Sequence, residues 1–302
     1  MRRERRALYT CSDENYVVGT RALLGSAARA YPEIDRYCFV PEAQVSILTQ
    51  KLGDVCTVLA AKKKKKNVPA ARQMMAGRVF GVTLPADVVV YMDSDIVICR
   101  PGEALWQVEG KDVRAVMDPG KEMFYNLHGG EPYWSQFKAR FPDRVGYHGI
   151  NSGVFALRPM HWSHLPEQFE AAIEGFAWTE ILHFTDQPFL GALFLPHVKP
   201  LPFTYNAHFS FEIPIPRRIY NMHYTGIKPW NPAFPKHERA WSYWLKYGQE
   251  PQASWWRRFM AACWIGCNVP RCFFSRMRHR SDITAQIVTE NPQYRGGACV
   301  NI

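Results

Sequence analysis

The chain has no Cys-x-x-Cys pair, no Gly-x-Gly-x-x-Gly or Walker loop after its first strand signal, and no apolar run of the roughly 18 residues that span a bilayer. Each absence removes a class. Eight cysteines, at 11, 38, 56, 99, 263, 267, 272 and 299, read as reduced thiols of a cytosolic protein, several of them inside apparent strands, and not as a disulfide framework. Cys263, Cys267 and Cys272 are poorly spaced for zinc. The usual dinucleotide and P-loop readings lack their phosphate cradle. The charged N-terminus runs into no apolar stretch, so no signal peptide is expected. Acidic residues are missing from 251–281, which hold six arginines. That segment carries +6, MRRERR (1–6) carries +3 and Lys62–Lys66 carries +5. These three total +14 against a net charge of +10, so the remaining chain is mildly acidic at −4. A continuous basic face for nucleic acid is therefore not expected. Basicity confined to an end, a loop and a tail suits an anionic membrane surface. The plainer reading of Lys62–Lys66 is a solvated charge run.

What is present is an alternation. ALYTCS (7–12), RYCFV (36–40), CTVLAA (56–61) and VVVYM (88–92) read as strands, with helices over 16–30, 41–52 and 68–79 between them. This β/α order predicts a parallel sheet with right-handed crossovers. The second half is mixed. Strand signals at 113–118, 152–159, 197–202 and 218–226 accompany helices over 161–175 and 186–194, around an irregular aromatic loop, 119–148. Six of the ten tryptophans lie within 230–264.

The stretch VVVYMDSDIVICRP (88–101) is the most informative. Its apolar run predicts a strand buried on both faces. Asp93 and Asp95, at i and i+2, are then expected to point the same way from the strand's carboxyl end, where open α/β sheets bind ligands. Two adjacent carboxylates need something to offset their repulsion, and a divalent cation holding a diphosphate would do so. A solvated Asp-Ser-Asp turn is the other reading of the spacing alone.

Four further segments are CSDENY (11–16), GINSGVFALRP (149–159), TDQPFLGALF (185–194) and HYTGIKPW (223–230). With the Asp-x-Asp run, they follow the order Asp-Glu-Asn-Tyr, Asp-x-Asp, Asn-x-Gly, Asp-Gln, His-x-x-Gly…Lys-Pro-Trp. The set resembles glycosyltransferase family 8 over about residues 7–231. That resemblance implies an α/β GT-A fold, a Rossmann-like, mixed but mostly parallel sheet flanked by helices, and a retaining hexosyltransferase. It further implies that Asp93, Asp95 and His223 hold Mn²⁺ (or Mg²⁺). Lys228 would contact the diphosphate, with Gly226 allowing close approach; one residue fewer separates this Gly and Lys than is common in the family. Thr10, Asp13, Asn15, Tyr16 and Ser94 would join the donor site, Asp13 and Tyr16 at the uracil. Asp13 or Ser12 can equally cap a helix. Arg78 lies near a family basic residue that reaches the donor, with a surface arginine as the alternative. Asn151, Gly153, Asp186 and Gln187 would surround the donor sugar, with Asp186 and Gln187 as catalytic residues. An amide is a poor nucleophile, so front-face departure is expected.

The expected partners are a UDP-hexose, galactose or glucose, and a saccharide or glycolipid acceptor. The expected domains are a catalytic one over 1–236 and a basic, aromatic, membrane-associating tail over 237–302. Within the tail, 254–280 would form an interfacial anchor, making the protein cytoplasmic and peripheral. Acceptor contacts are expected from loop 119–148, with His128, Tyr133 and Trp134 as stacking candidates. Rival readings are a sugar-phosphate nucleotidyltransferase and an inactive sugar-nucleotide-binding scaffold.

Overall fold

A computed structural model describes residues 3–61, 77–122, 131–144, 148–174, 186–208, 215–216, 218–231, 234 and 239–248. The expected segment 254–280, His128 and most of the helix expected over 68–79 lie outside these residues.

The first strands are β1 (Arg6–Cys11), β2 (Asp35–Pro41), β3 (Thr57–Ala61) and β4 (Val88–Met92). Helices α1 (Val17–Ala30) and α2 (Val45–Leu52) follow β1 and β2, each entered through a short 3₁₀ turn. β2 pairs parallel with β1 and β3, and β1 pairs parallel with β4. Alternation sorts their side chains. Tyr9, Val89 and Tyr91 enter the core on one face of the sheet, while Leu8, Val88, Val90 and Met92 enter the core on the other. In α1, Thr20, Leu23, Leu24 and Ala27 are buried, at helical spacing i, i+3, i+4, i+7.

The second half supplies β5 (Ile96–Ile98), β6 (Val113–Glu122), β7 (His148–Leu157), β8 (Val198–Leu201), β9 (Ala207–His208) and β10 (Asn221–His223). Its helices are α3 (Glu131–Arg140), α4 (Leu165–Ile173), α5 (Gln187–Phe194) and α6 (Arg239–Tyr247). The large sheet runs β3-β2-β1-β4-β7-β6-β8, and a small one runs β5-β10-β9. β7 is antiparallel to both β4 and β6, so the sheet is mixed with one reversed strand. Phe169 of α4 and Phe189 and Phe194 of α5 cover the Tyr9 face. This is the expected α/β architecture.

Two expectations change. The aromatic loop 119–148 is partly regular, because β6 extends to Glu122 and α3 occupies 131–140. The run after Met92 is not one continuous strand; the chain turns and joins the small sheet as β5. The last described segment is a helix, and Tyr243 and Trp244 of α6 pack with Tyr224, Val97 and Ala22. Arg29 of α1 donates to the Tyr247 carbonyl. Among the described residues no helix is long and apolar enough to cross a membrane.

Candidate active site

The site begins at the turn between β4 and β5. Asp93 and Asp95 were expected on a strand, pointing together by alternation. Instead, the Ile96 amide donates to the Asp93 carbonyl at 3.1 Å, and residues 93–95 turn between the two sheets. The turn still gathers both carboxylates. It also explains how a residue far downstream reaches them. β10 pairs antiparallel with β5, placing His223 opposite Ile96, one residue beyond Asp95. The Tyr224 amide donates to the Asp95 carbonyl at 3.0 Å and fixes that register.

One ligand atom from each of Asp93, Asp95 and His223 lies within 4.8 Å of the others. His223 Nε2 is 3.2 Å from Asp95 Oδ1 and 3.6 Å from Asp93 Oδ2. The remaining oxygens are occupied. Asp93 Oδ1 accepts from Tyr91 Oη at 2.6 Å and from Arg78 at 2.8 Å. Asp95 Oδ2 accepts from Lys228 Nζ. Each carboxylate therefore keeps one oxygen turned to the imidazole. Two hard oxygens and one imidazole nitrogen suit Mn²⁺, or Mg²⁺ at its harder limit. Burial alone would raise the Asp95 carboxyl, but the adjacent His223 and Lys228 hold it well below the usual carboxylate range. Lys228 gains in return: burial opposes its charge, yet Asp95 holds its ammonium above the ordinary lysine value.

Gly153 makes the convergence possible. A Cβ there would lie 2.5 Å from His223 Cε1 and 2.9 Å from Asp93 Oδ2. Its position comes from an irregular register. Between Ala115 and Val116 of β6, the partner on β7 jumps from Phe155 to Asn151, so Ser152–Val154 bulge at the edge of the site. The Asp93 amide donates to the Gly153 carbonyl at 2.9 Å, continuing the β4–β7 ladder into the site.

Arg78, expected either near the donor or on the surface, is an interior clasp. Its side chain is only 18% exposed. It bonds Asp93, Asp186 and, at 2.8 Å, Ser152 Oγ, and its guanidinium lies over the Tyr91 ring. Burial disfavours that charge, but Asp186 and Asp93 more than reverse the effect. Burial pushes the Asp186 carboxyl above the ordinary range; Arg78 opposes the shift and Asp93 adds to it. Gln187 opens α5 beside them. Its Oε1 accepts from the Ser152 amide at 3.2 Å, and its Nε2 donates to Asp118 Oδ2 at 2.9 Å.

The N-terminal loop forms a separate ledge. Asp13 accepts from the Asn15 amide at 2.9 Å, the capping role that the residues alone allowed. Tyr16 is 37% exposed, edge-on to Trp230, with Lys228 Nζ 5.9 Å from its ring centroid. Gly19 brings α1 under this ledge, since a Cβ there would lie 2.5 Å from both the Ser94 carbonyl and the Trp230 ring. Thr10 is fully buried at the end of β1. Gly226 adopts φ +77, the left-handed turn that lets Lys228 fold back onto Asp95. Sequence reasoning missed Tyr91, Asp118, Ser152 and Asn206. Tyr91 and Ser152 adjoin motif residues in the sequence, but nothing in VRAVMD marks Asp118 and nothing in PFTYNAH marks Asn206. A cavity of about 580 Å³ bounded by Trp162, His161, His164 and His197 shares none of these residues.

A mixed α/β sheet with paired carboxylates where its topology reverses is the architecture of GT-A glycosyltransferases. The model of glycosyl transferase family 8 matches residues 7–233, and the chain belongs to that family. It is a glycosyltransferase. No curated protein sequence matches it. Among solved structures it is similar to the galactosyltransferase LgtC in complex with donor and acceptor sugar analogues, at 15% identity and TM-score 0.53, covering 90% of this chain and 100% of that one. It is also similar to GlyE from Streptococcus pneumoniae TIGR4, at 18% identity and TM-score 0.55, covering 87% of this chain and 64% of that one. The bifunctional glycosyltransferase WbbM matches at 17% identity and TM-score 0.54, over 76% of this chain but only 48% of its own. The present chain thus spans about half of WbbM. At these identities the likeness is one of fold.

Proposed function

We propose that the protein transfers a hexose, galactose or glucose, from a UDP-sugar to a saccharide or glycolipid acceptor with retention of configuration. Asp93, Asp95 and His223 would hold Mn²⁺ (or Mg²⁺). The observation that carries this reading is the trio of ligand atoms within 4.8 Å, each carboxylate with one oxygen already neutralised by a cation on its far side. A bound metal would supply Lewis-acid stabilisation to the leaving diphosphate.

The chain's own groups do the rest. Lys228 offers a point charge to the diphosphate, and Tyr16 offers a ring face to the uracil, with Asp13 and Asn15 beside it. Asn151, Gly153 and Asp186 line the sugar side. Gln187 is held at both ends of its amide, by Ser152 and Asp118, so its dipole is fixed before substrate arrives. A fixed amide dipole stabilises developing positive charge without forming a covalent bond. Departure and attack on the same face then need no strong base from the protein. The segment 254–280, basic and aromatic, is the part suited to an anionic membrane surface on the cytoplasmic side.

Calorimetry with UDP, with and without Mn²⁺, followed by hydrolysis of a panel of UDP-hexoses, tests the proposal. Metal-dependent UDP binding and turnover of one hexose are expected. Binding without turnover, or synthesis of a nucleotide sugar from UTP and a sugar 1-phosphate, overturns it.

A further inference from the structure

Asn206 is fully buried, lies outside the motif segments read from the sequence, and touches two groups of the site. Its Nδ2 donates to Asn151 Oδ1 at 2.7 Å. Its Oδ1 lies 2.9 Å from His223 Nδ1. The polarity of this chain of contacts is fixed from one end. The Gly153 amide donates to Asn151 Oδ1 at 3.0 Å, and a main-chain N–H can only donate. The Asn151 atom facing it must be the oxygen. Asn206 then meets that oxygen with its NH₂ and turns its own oxygen to His223. His223 Nδ1 must carry a hydrogen to satisfy that oxygen.

Two consequences follow. Nδ1 is committed as a donor, so Nε2 is the nitrogen left to bind a metal, and it is the one facing Asp93 and Asp95. Asn151 Oδ1 is committed as an acceptor of two hydrogen bonds, so its NH₂ is the group left for the cleft. We infer that Asn206 is a positioning residue which sets both polarities at once: an imidazole lone pair toward the metal and an amide donor toward an oxygen of the bound sugar. This inference rests on the glycosyl-transfer reading and adds a residue to it. It also gives β9 and its preceding turn a role, since Asn206 immediately precedes Ala207–His208, the strand that pairs parallel with β10.

Two substitutions separate the halves of the claim. Asn206→Asp keeps an acceptor for His223 Nδ1 but presents oxygen to Asn151 Oδ1. Asn206→Leu removes both contacts. Mn²⁺ binding to the metal-free protein is read by calorimetry, and the affinity gained by UDP-hexose over UDP is read in the presence of Mn²⁺. Asn206→Leu is expected to lose Mn²⁺ affinity by about 10- to 100-fold. Asn206→Asp is expected to keep Mn²⁺ affinity within about threefold while losing the hexose increment. Asn151→Asp, which keeps both accepted bonds but replaces the NH₂, should reproduce the Asn206→Asp pattern and guards against a variant that fails to fold. Loss of both quantities, or of neither, in Asn206→Asp and Asn151→Asp overturns the inference. A wild-type protein that binds neither Mn²⁺ nor UDP-hexose instead overturns the function on which it rests.

Discussion

The two halves of the large sheet meet at β4 and β7, and they contribute unlike chemistry. From β1 to β4 every pairing is parallel, and the carboxyl ends deliver the N-terminal ledge and the two aspartates. Beyond β4 the direction reverses in β7, so that strand enters the site near its beginning. It brings Asn151, Ser152 and Gly153, an amide, a hydroxyl and a residue without a side chain. The parallel half supplies charge at strand ends, as open α/β sheets do. The reversed strand supplies uncharged groups from a bulge. A site needing both concentrated negative charge and room for a sugar gains from their contact.

The seam is the sharpest place to break this division. Gly153→Ala would force a methyl to within 2.5 Å of His223 and 2.9 Å of Asp93. The expected outcome is loss of calorimetrically detectable Mn²⁺ binding and of donor hydrolysis, with the far-UV circular dichroism retained. A variant that binds Mn²⁺ like wild type would show that the bulge does not shape the metal pocket.

Arg78 joins the halves by charge, holding Asp93 on one side and Asp186 and Ser152 on the other. Arg78→Met leaves Asp186, 6% exposed, as a buried carboxylate without its cation. Removing one partner of a buried pair costs about 3–5 kcal/mol, so urea unfolding should show a loss of that size. Arg78→Lys should recover only part of it, because one ammonium cannot span three acceptors as a planar fork can. A loss below about 1 kcal/mol for Arg78→Met would place the clasp with ordinary surface pairs.

The two halves also differed in what could be read from sequence. Val88–Met92 is buried on both faces, so its composition alone announced a central strand, and β1 to β3 followed from spacing. Strand reversal left no such mark: residues 154–157 of β7 are as apolar as β4, with Phe155 and Leu157 in the core on one face and Val154 and Ala156 in the core on the other. The bulge that places Gly153 arises from pairing with β6, a non-local event with no local code. The Asp-x-Asp pair was legible for a reason that needed correcting. Alternation on a strand predicted convergence, whereas a turn between two sheets produces it. His223 came only through the ordered set of family motifs, because nothing in Asn221–His223 reveals that it pairs with Ile96–Ile98. Asn206 was illegible, its role depending entirely on what lies within 3 Å of it.

The smallest effect tests the parallel half where no ligand is involved. Arg21 on α1 makes two 3.0 Å bonds to Asp54 in the turn after α2, and those bonds lower the Asp54 carboxyl below its usual value. A depressed carboxylate stabilises the folded state above its unfolded pKa of about 3.9 and loses that contribution as pH falls through the folded value. Asp54 is largely exposed, so solvent screening limits the pair to a few tenths of a kcal/mol. Asp54→Asn should therefore unfold slightly more easily than wild type at pH 7, and the gap should close as the pH is taken below the folded value. Donor hydrolysis should not change, because the pair lies on the outer side of α1 and touches none of the residues at the seam. A gap that widened toward acid would mean that Asp54 is stabilised in its protonated form, contrary to the geometry of its two accepted bonds.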